Sequence, residues 1–150
     1  MNLVSLYHIN INCRDFDRSM AFYQRLGFSV LYDLDHVQGE ALATLLALPD
    51  VRGRAAILQL DEHPRACRLD LIEWIVPPTS GAPSDDASAV GFARLCFYTK
   101  NIEADYESLQ ADGVTVLSEP LALEFADGST ARAFCFRDPD GTLLELIGFD

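Results

Sequence analysis

Apolar and polar residues alternate along the opening stretch MNLVSLYHINI, which predicts a β-strand. After a polar junction at Asp15 the spacing changes. Phe16, Met20 and Tyr23 form an apolar stripe at helical period, Asp17 places negative charge in the first turn, and Gly27 follows the last one. The same succession returns later in the chain. Shifted by 86 positions, HININCRDFDRSMAFYQRLGFSVL (8–31) lies without a gap on RLCFYTKNIEADYESLQADGVTVL (94–117). Asn101 takes the place of Asp15, Ile102, Tyr106 and Leu109 form the stripe, and Gly113 matches Gly27. Each copy predicts strand, helix, strand.

The copies differ in length in their middles and converge again at their ends. Residues 35–53 read as an insertion in the first copy, with GEALATLLAL as a short helix ended by Pro49. RAAILQL (54–60) and RAFCF (132–136) read as strands, the second turning through Asp138-Pro139-Asp140-Gly141. RLDLIEW (68–74) and LLELIGF (143–149) match as the final strands. The fold class expected is α+β: two β-α-β-β-β repeats forming a curved mixed sheet around a small-molecule cup. One domain spans 1–150, with a first module at 1–75, a Pro- and Ser-rich linker at 76–90 and a second module at 91–150.

Strand side chains alternate between faces, so one face packs under its helix while the other lines what the sheet encloses. Tyr7, Ile9 and Ile11 are the natural helix-side set, which leaves His8, Asn10 and Asn12 on the concave side and puts Arg94, Cys96 and Tyr98 at their equivalents. Leu69, Leu71, Leu144 and Leu146 belong to the core face. Asp70, Ile72 and Trp74, with Glu145, Ile147 and Phe149, share the other. His8 thus matches Arg94, and Asp70 matches Glu145. An imidazole, a guanidinium and two carboxylates in an apolar cup define the candidate site, since buried charge is disfavoured unless paired. Glu73, at odd spacing from Asp70, reads as a rim or surface charge on the opposite face. His36 and His63 read as solvated loop histidines, and Cys96 as a buried, inert thiol.

Composition narrows the partners. Acidic residues outnumber basic ones 23 to 11, a formal charge of -12, so nucleic acid and anionic membrane surfaces are not expected partners. The four cysteines, Cys13, Cys67, Cys96 and Cys135, are scattered without metal or disulfide spacing, and neither a signal peptide nor a membrane-spanning run is visible. A cytoplasmic setting is the expectation.

In the order and spacing of His8, DFDRSMAFYQRLGF, GFARLCF, NIEADYESLQADGV and RDPDGTLLELI, nearly the whole chain resembles the vicinal oxygen chelate superfamily. That superfamily includes glyoxalase I, methylmalonyl-CoA epimerase, extradiol dioxygenases, fosfomycin-resistance proteins and bleomycin-binding proteins. The resemblance implies the fold and a small-molecule ligand, with the halves joined within one chain or across a homodimer. In metal-dependent members the ligands fall on the positions of His8, Asp70, Arg94 and Glu145. Three could bind a divalent metal; Arg94 cannot, because a guanidinium has only donors and repels a dication. No metal is therefore the favoured cofactor, and a divalent metal on His8, Asp70 and Glu145 is the alternative.

Arg94 reads either as a structural partner of Asp70 and Glu145 or as an anchor for a substrate carboxylate or oxyanion. As an enzyme, the chain would transfer a proton beside a carbonyl, as an isomerase or lyase does, with Glu145 or Asp70 as base and His8 as acid. As a binder or resistance protein, it would sequester an aromatic compound against Trp74, Tyr98 and Phe149, with Asn10, Asn12 and Cys96 as further lining. A metal-dependent lyase or epimerase is the third reading. A ring-cleaving iron dioxygenase is disfavoured, since its facial triad needs two histidines.

Overall fold

The computed structural model describes residues 1–60 and 66–149. The chain divides into two compact units, residues 1–81 and 82–150. The first contains β1 (His8–Asn12), α1 (Phe16–Arg25), β2 (Ser29–Gln38), α2 (Glu40–Leu45), β3 (Arg52–Gln59) and β4 (Arg68–Val76). The second contains β5 (Leu95–Tyr98), α3 (Ile102–Ala111), β6 (Leu121–Glu124), β7 (Thr130–Arg137) and β8 (Leu143–Phe149). The mixed strands form two four-stranded sheets, ordered β1-β4-β3-β2 and β5-β8-β7-β6. In each, the first strand lies parallel to the last and the remaining pairs are antiparallel. This is the expected β-α-β-β-β repeat.

The helix signals act as the sequence implies. Asp15 caps α1 by accepting from the Arg18 N–H at 2.9 Å, and Asn101 caps α3 through the Ala104 N–H at 3.2 Å. Gly27 and Gly113 follow the helices at φ 98° and 72°, a left-handed conformation that side chains with a Cβ resist. Phe16 and Tyr23 of α1 are 2% and 0% exposed, and their burial contributes about 2–3 kcal/mol each. They pack on the face that carries Ile11, Leu69, Leu71, Ala56 and Leu58, all buried. In the second unit Ile102 and Leu109 pack on the face of Leu95, Phe134, Phe136, Leu144 and Leu146.

Several expectations need correction. Only His8–Asn12 of the opening stretch is strand; Leu3, Val4, Leu6 and Tyr7 are exposed, and Tyr7 is 63% exposed rather than part of the core. Its ring instead meets the Arg68 guanidinium, whose Cζ lies 5.0 Å from the ring centroid. The insertion at 35–53 is shorter than its sequence suggests, because β2 continues to Gln38 and β3 begins at Arg52. The helix inside it stops at Leu45, before Pro49, and Ala47 turns the chain at φ 54°. In the second unit, 114–117 is not a regular strand. Val116 makes an isolated bridge to Phe136, and β6 begins only at Leu121, just after Pro120, which has no N–H for a ladder. His36 lies in β2 rather than a loop, and His63 lies outside the described residues.

Candidate functional site

In the first unit the parallel pairing of β1 with β4 sets Asn10 beside Asp70, His8 beside Arg68 and Asn12 beside Ile72. Asn10 Nδ2 donates to Asp70 Oδ2 at 2.9 Å, and Trp74 Nε1 donates to Asn12 Oδ1 at 3.0 Å. The indole lies over Gly53: a Cβ there would fall 3.1 Å from Trp74 Cε3 and 2.7 Å from the Glu73 carbonyl oxygen. Burial pushes the Asp70 carboxyl above its ordinary range, and the charge of His8 and the Asn10 hydrogen bond oppose that shift. Asp70 Oδ1 and His8 Nδ1 are buried and have no hydrogen-bond partner among the described residues. Such atoms cost about 1–3 kcal/mol each when left unsatisfied.

In the second unit Glu145 is the central residue of a row across three strands, paired with Cys96 of β5 on one side and Cys135 of β7 on the other. Its side chain is only 12% exposed. Arg94, one residue ahead of β5, donates from Nε to Glu145 Oε2 and remains about half-exposed. Further along this face Tyr98, Phe149 and Phe125 form an exposed aromatic run, with ring centroids 6.3 Å and 6.0 Å apart. Cys96 is exposed rather than buried, yet its thiol is pushed up to about 11, first by partial desolvation and then by the neighbouring Glu145 carboxylate. Cys135 is raised for the same two reasons. Both shifts favour the protonated thiol.

Each polar pair is thus assembled inside one unit: Asp70 with Asn10 and the charge of His8, Glu145 with Arg94. Glu73 does face away from Asp70, as its spacing required, but it is not a loose surface charge. Its Oε2 accepts from the Phe16 N–H at 3.0 Å, so it holds the start of α1. Sequence reasoning passed over Arg68, which pairs in register with His8 and whose buried Nε has no hydrogen-bond partner among the described residues. It shares the face of Asp70 two positions away, and that spacing was the signal that could have found it.

The chain belongs to the Glyoxalase/Bleomycin resistance protein/Dioxygenase superfamily, which it matches over residues 5–146. Among curated relatives, a lactoylglutathione lyase of Schizosaccharomyces pombe is 27% identical over 144 residues, covering 93% of this chain and 43% of the lyase. A glyoxalase domain-containing protein of Mycosarcoma maydis is 25% identical over 99% of this chain and 70% of its own length. The chain therefore spans less than half the length of the lyase. Among solved structures, a glyoxalase family protein from Bacillus cereus superposes with a TM-score of 0.85 at 19% identity, covering 99% of this chain and 96% of that one. The Leishmania major glyoxalase I gives 0.66 at 18% identity, over 97% and 87%. At these identities the structures establish the fold.

Members of this superfamily typically use a divalent metal. The first unit's free atoms, Asp70 Oδ1 and His8 Nδ1, carry lone pairs suited to one. The second unit does not fit: its position equivalent to His8 is a guanidinium with no lone pair to give, and that guanidinium already occupies Glu145. Among the described residues no three His, Cys, Asp or Glu side chains form a group that could hold a metal ion. The four-ligand set is incomplete in its chemistry. Among the described residues no helix is long and apolar enough to cross a membrane.

Proposed function

We propose that this protein binds a small organic carbonyl or carboxylate compound at the Arg94–Glu145 pair and, as a lyase- or isomerase-type enzyme, moves a proton on it without the four-ligand metal. The observation that carries this reading is the hydrogen bond from Arg94 Nε to the nearly buried Glu145 carboxylate. That bond orients the carboxylate, to which the Cys96 thiol also hydrogen-bonds, for work as a base. It also presents the Nη edge of the guanidinium, half-exposed, to a ligand oxygen. Glu145 would take the proton from the carbon beside a carbonyl: the C–H bond breaks, an O–H bond forms on the carboxylate, and the electron pair moves onto the carbonyl oxygen. Arg94 stabilises the resulting oxyanion. Where the carbon that loses the proton carries a hydroxyl, passage of the hydroxyl proton to the oxyanion and return of the abstracted proton from Glu145 to the former carbonyl carbon complete an isomerisation. Tyr98, Phe149 and Phe125 offer area for an apolar part of the ligand. His8 and Asp70 are the first unit's counterpart, with His8 as the proton-carrying acid.

Glu145→Gln preserves shape and hydrogen bonding but removes the base. Turnover of a carbonyl substrate found by screening should fall by about 100- to 10,000-fold, the range expected for loss of a general base, with the thermal midpoint nearly unchanged. Unaltered turnover in this variant would sink the assignment. Stoichiometric binding with the ligand recovered intact would favour the second reading, a binding or resistance protein, which the exposed aromatic run supports.

A further inference from the structure

The two units satisfy their helix starts differently. In α1 the N–H of Phe16, the first helical residue, donates to Glu73 Oε2 at 3.0 Å, so a carboxylate from β4 is seated on that end of the helix. The repeat aligns Phe16 with Ile102 and Glu73 with Gly148. At α3 the cap residue Asn101 accepts from the Ala104 N–H at 3.2 Å, and its own N–H donates to Thr99 Oγ1 at 3.1 Å. The Ile102 N–H, counterpart of the one that Glu73 serves, meets no acceptor among the described residues. Gly148 brings no side chain to it, and a cavity of about 210 Å3 is lined there by Lys100, Ile102, Arg132, Gly148 and Phe149.

The charges around this cavity select a monoanion. Arg132 pairs with Glu103 and donates from Nη2 to the Pro120 carbonyl at 3.0 Å, so its charge is matched and its place fixed. Asp105 of the same helical turn does not line the cavity and accepts from Thr99 Oγ1. Lys100 is exposed and has no acidic partner among the described residues, so its charge adds to the positive end of α3. Glu103 at the rim opposes a second negative charge on a ligand. The equivalent N–H of the first unit already holds a carboxylate, and that precedent fixes the class of anion. We infer that the start of α3, with Lys100 and the space left by Gly148, is a binding site for a small monocarboxylate, one oxygen of which accepts from the Ile102 N–H while its charge pairs with Lys100. Gly148 lies three positions from Glu145, on the opposite face of the sheet, so this is a second site and does not rest on the proposed function.

The test is an NMR titration of the full chain, read at the Ile102 amide, with propionate, which reproduces the Glu73 side chain, exchanged for chloride at constant ionic strength. Propionamide is the neutral control. Propionate should shift the Ile102 amide saturably, with propionamide about tenfold weaker or more. Lys100→Gln should weaken propionate roughly threefold or more. Gly148→Glu builds the missing carboxylate into the chain, where the new Cβ would lie 3.4 Å from the Thr99 carbonyl oxygen and 3.5 Å from Ile102 Cβ, which is ordinary contact. That variant should show the Ile102 amide already displaced in the direction propionate moves it, and should no longer respond to propionate. Arg94→Met should respond like the unaltered chain. The inference is overturned by an absent or non-saturating shift, by equal responses to propionate and propionamide, or by a response that a folded Gly148→Glu retains. Should Gly148→Glu fail to fold, Lys100→Gln decides, and an unchanged affinity there overturns the inference. A response lost in Arg94→Met also overturns it and assigns the ligand to the Glu145 face.

Discussion

The two units share a skeleton and differ in their chemistry, and the boundary between what is shared and what differs falls residue by residue. Arg54 of β3 pairs with Asp17 in the first turn of α1 at 2.8 Å, and Arg132 of β7 pairs with Glu103 in the first turn of α3. These are repeat-equivalent ion pairs, as Asp15 and Asn101 are equivalent caps and Gly27 and Gly113 equivalent turns. Elsewhere the copies solve one problem in different ways. In the first unit Glu73 of β4 reaches the start of α1. In the second the matching residue is Gly148, and a Cβ there would lie 3.5 Å from Ile102 Cβ, so helix and strand approach directly. On the opposite face the polar groups diverge completely. Among the described residues the first unit leaves Asp70 Oδ1 and His8 Nδ1 without a partner, whereas the second closes Glu145 against Arg94. The two copies thus agree at residues that set backbone direction and differ in the side chains on the face away from the helix.

The sharpest break in the comparison should come from Gly53, whose repeat equivalent is Ala131, fully buried. Gly53→Ala places a Cβ 2.7 Å from the Glu73 carbonyl oxygen and 3.1 Å from the Trp74 ring, and should cost about 2 kcal/mol by overpacking. Ala131→Gly should cost about 1 kcal/mol or less, from backbone entropy and one lost methyl. Urea denaturation of both variants measures the difference, and equal losses would show that Trp74 does not depend on the glycine.

Next in size is the reactivity of Cys96. A shift from the ordinary 9.0 to about 11 lowers its thiolate fraction at pH 8 roughly 100-fold, and the greater nucleophilicity of the more basic thiolate returns roughly tenfold. Alkylation by iodoacetamide, followed site by site by mass spectrometry, should thus be about tenfold slower than for a free thiol. Removing the negative charge in Glu145→Gln should speed it. No acceleration would mean that desolvation alone holds the thiol.

The smallest effects test the polar pairs themselves, and they should differ in sign. Arg94→Met leaves the Glu145 carboxylate without its cation and should destabilise by about 1 kcal/mol, the low end because the guanidinium is half-exposed and screened by water. Asp70→Asn should be neutral or stabilising at pH 7. The Asp70 carboxyl titrates above its ordinary 3.8 in the folded chain, so the folded state keeps its proton longer than the unfolded state. Stability contributed by this group is full below 3.8 and declines as pH rises through the raised value. Asp70→Asn should remove that decline, which denaturation across a pH series would reveal; an unchanged slope would contradict it.

Much of this was legible in the chain because it depends on local rules. The 86-residue offset, the caps, the glycine stops and the alternation of Leu69 and Leu71 with Asp70 are consequences of backbone period and capping chemistry, which act within a few residues. The errors fall where a decision is not local. Strand β2 runs on to Gln38 because β3 is there to pair with it, and 114–117 fails to form a regular strand although its copy does. Tyr7 alternates like a core residue but lies beyond the last paired position of β1, with Arg68 rather than a helix to cover it. By itself the sequence determined the repeat, the fold class and which positions share a face, because those follow from periodicity. Only the tertiary structure decided that Glu73 would hold a helix start, that Arg94 would bind Glu145, and that Asn10 would hold one oxygen of Asp70. Such partnerships depend on register between strands far apart in sequence, and no local pattern encodes that register.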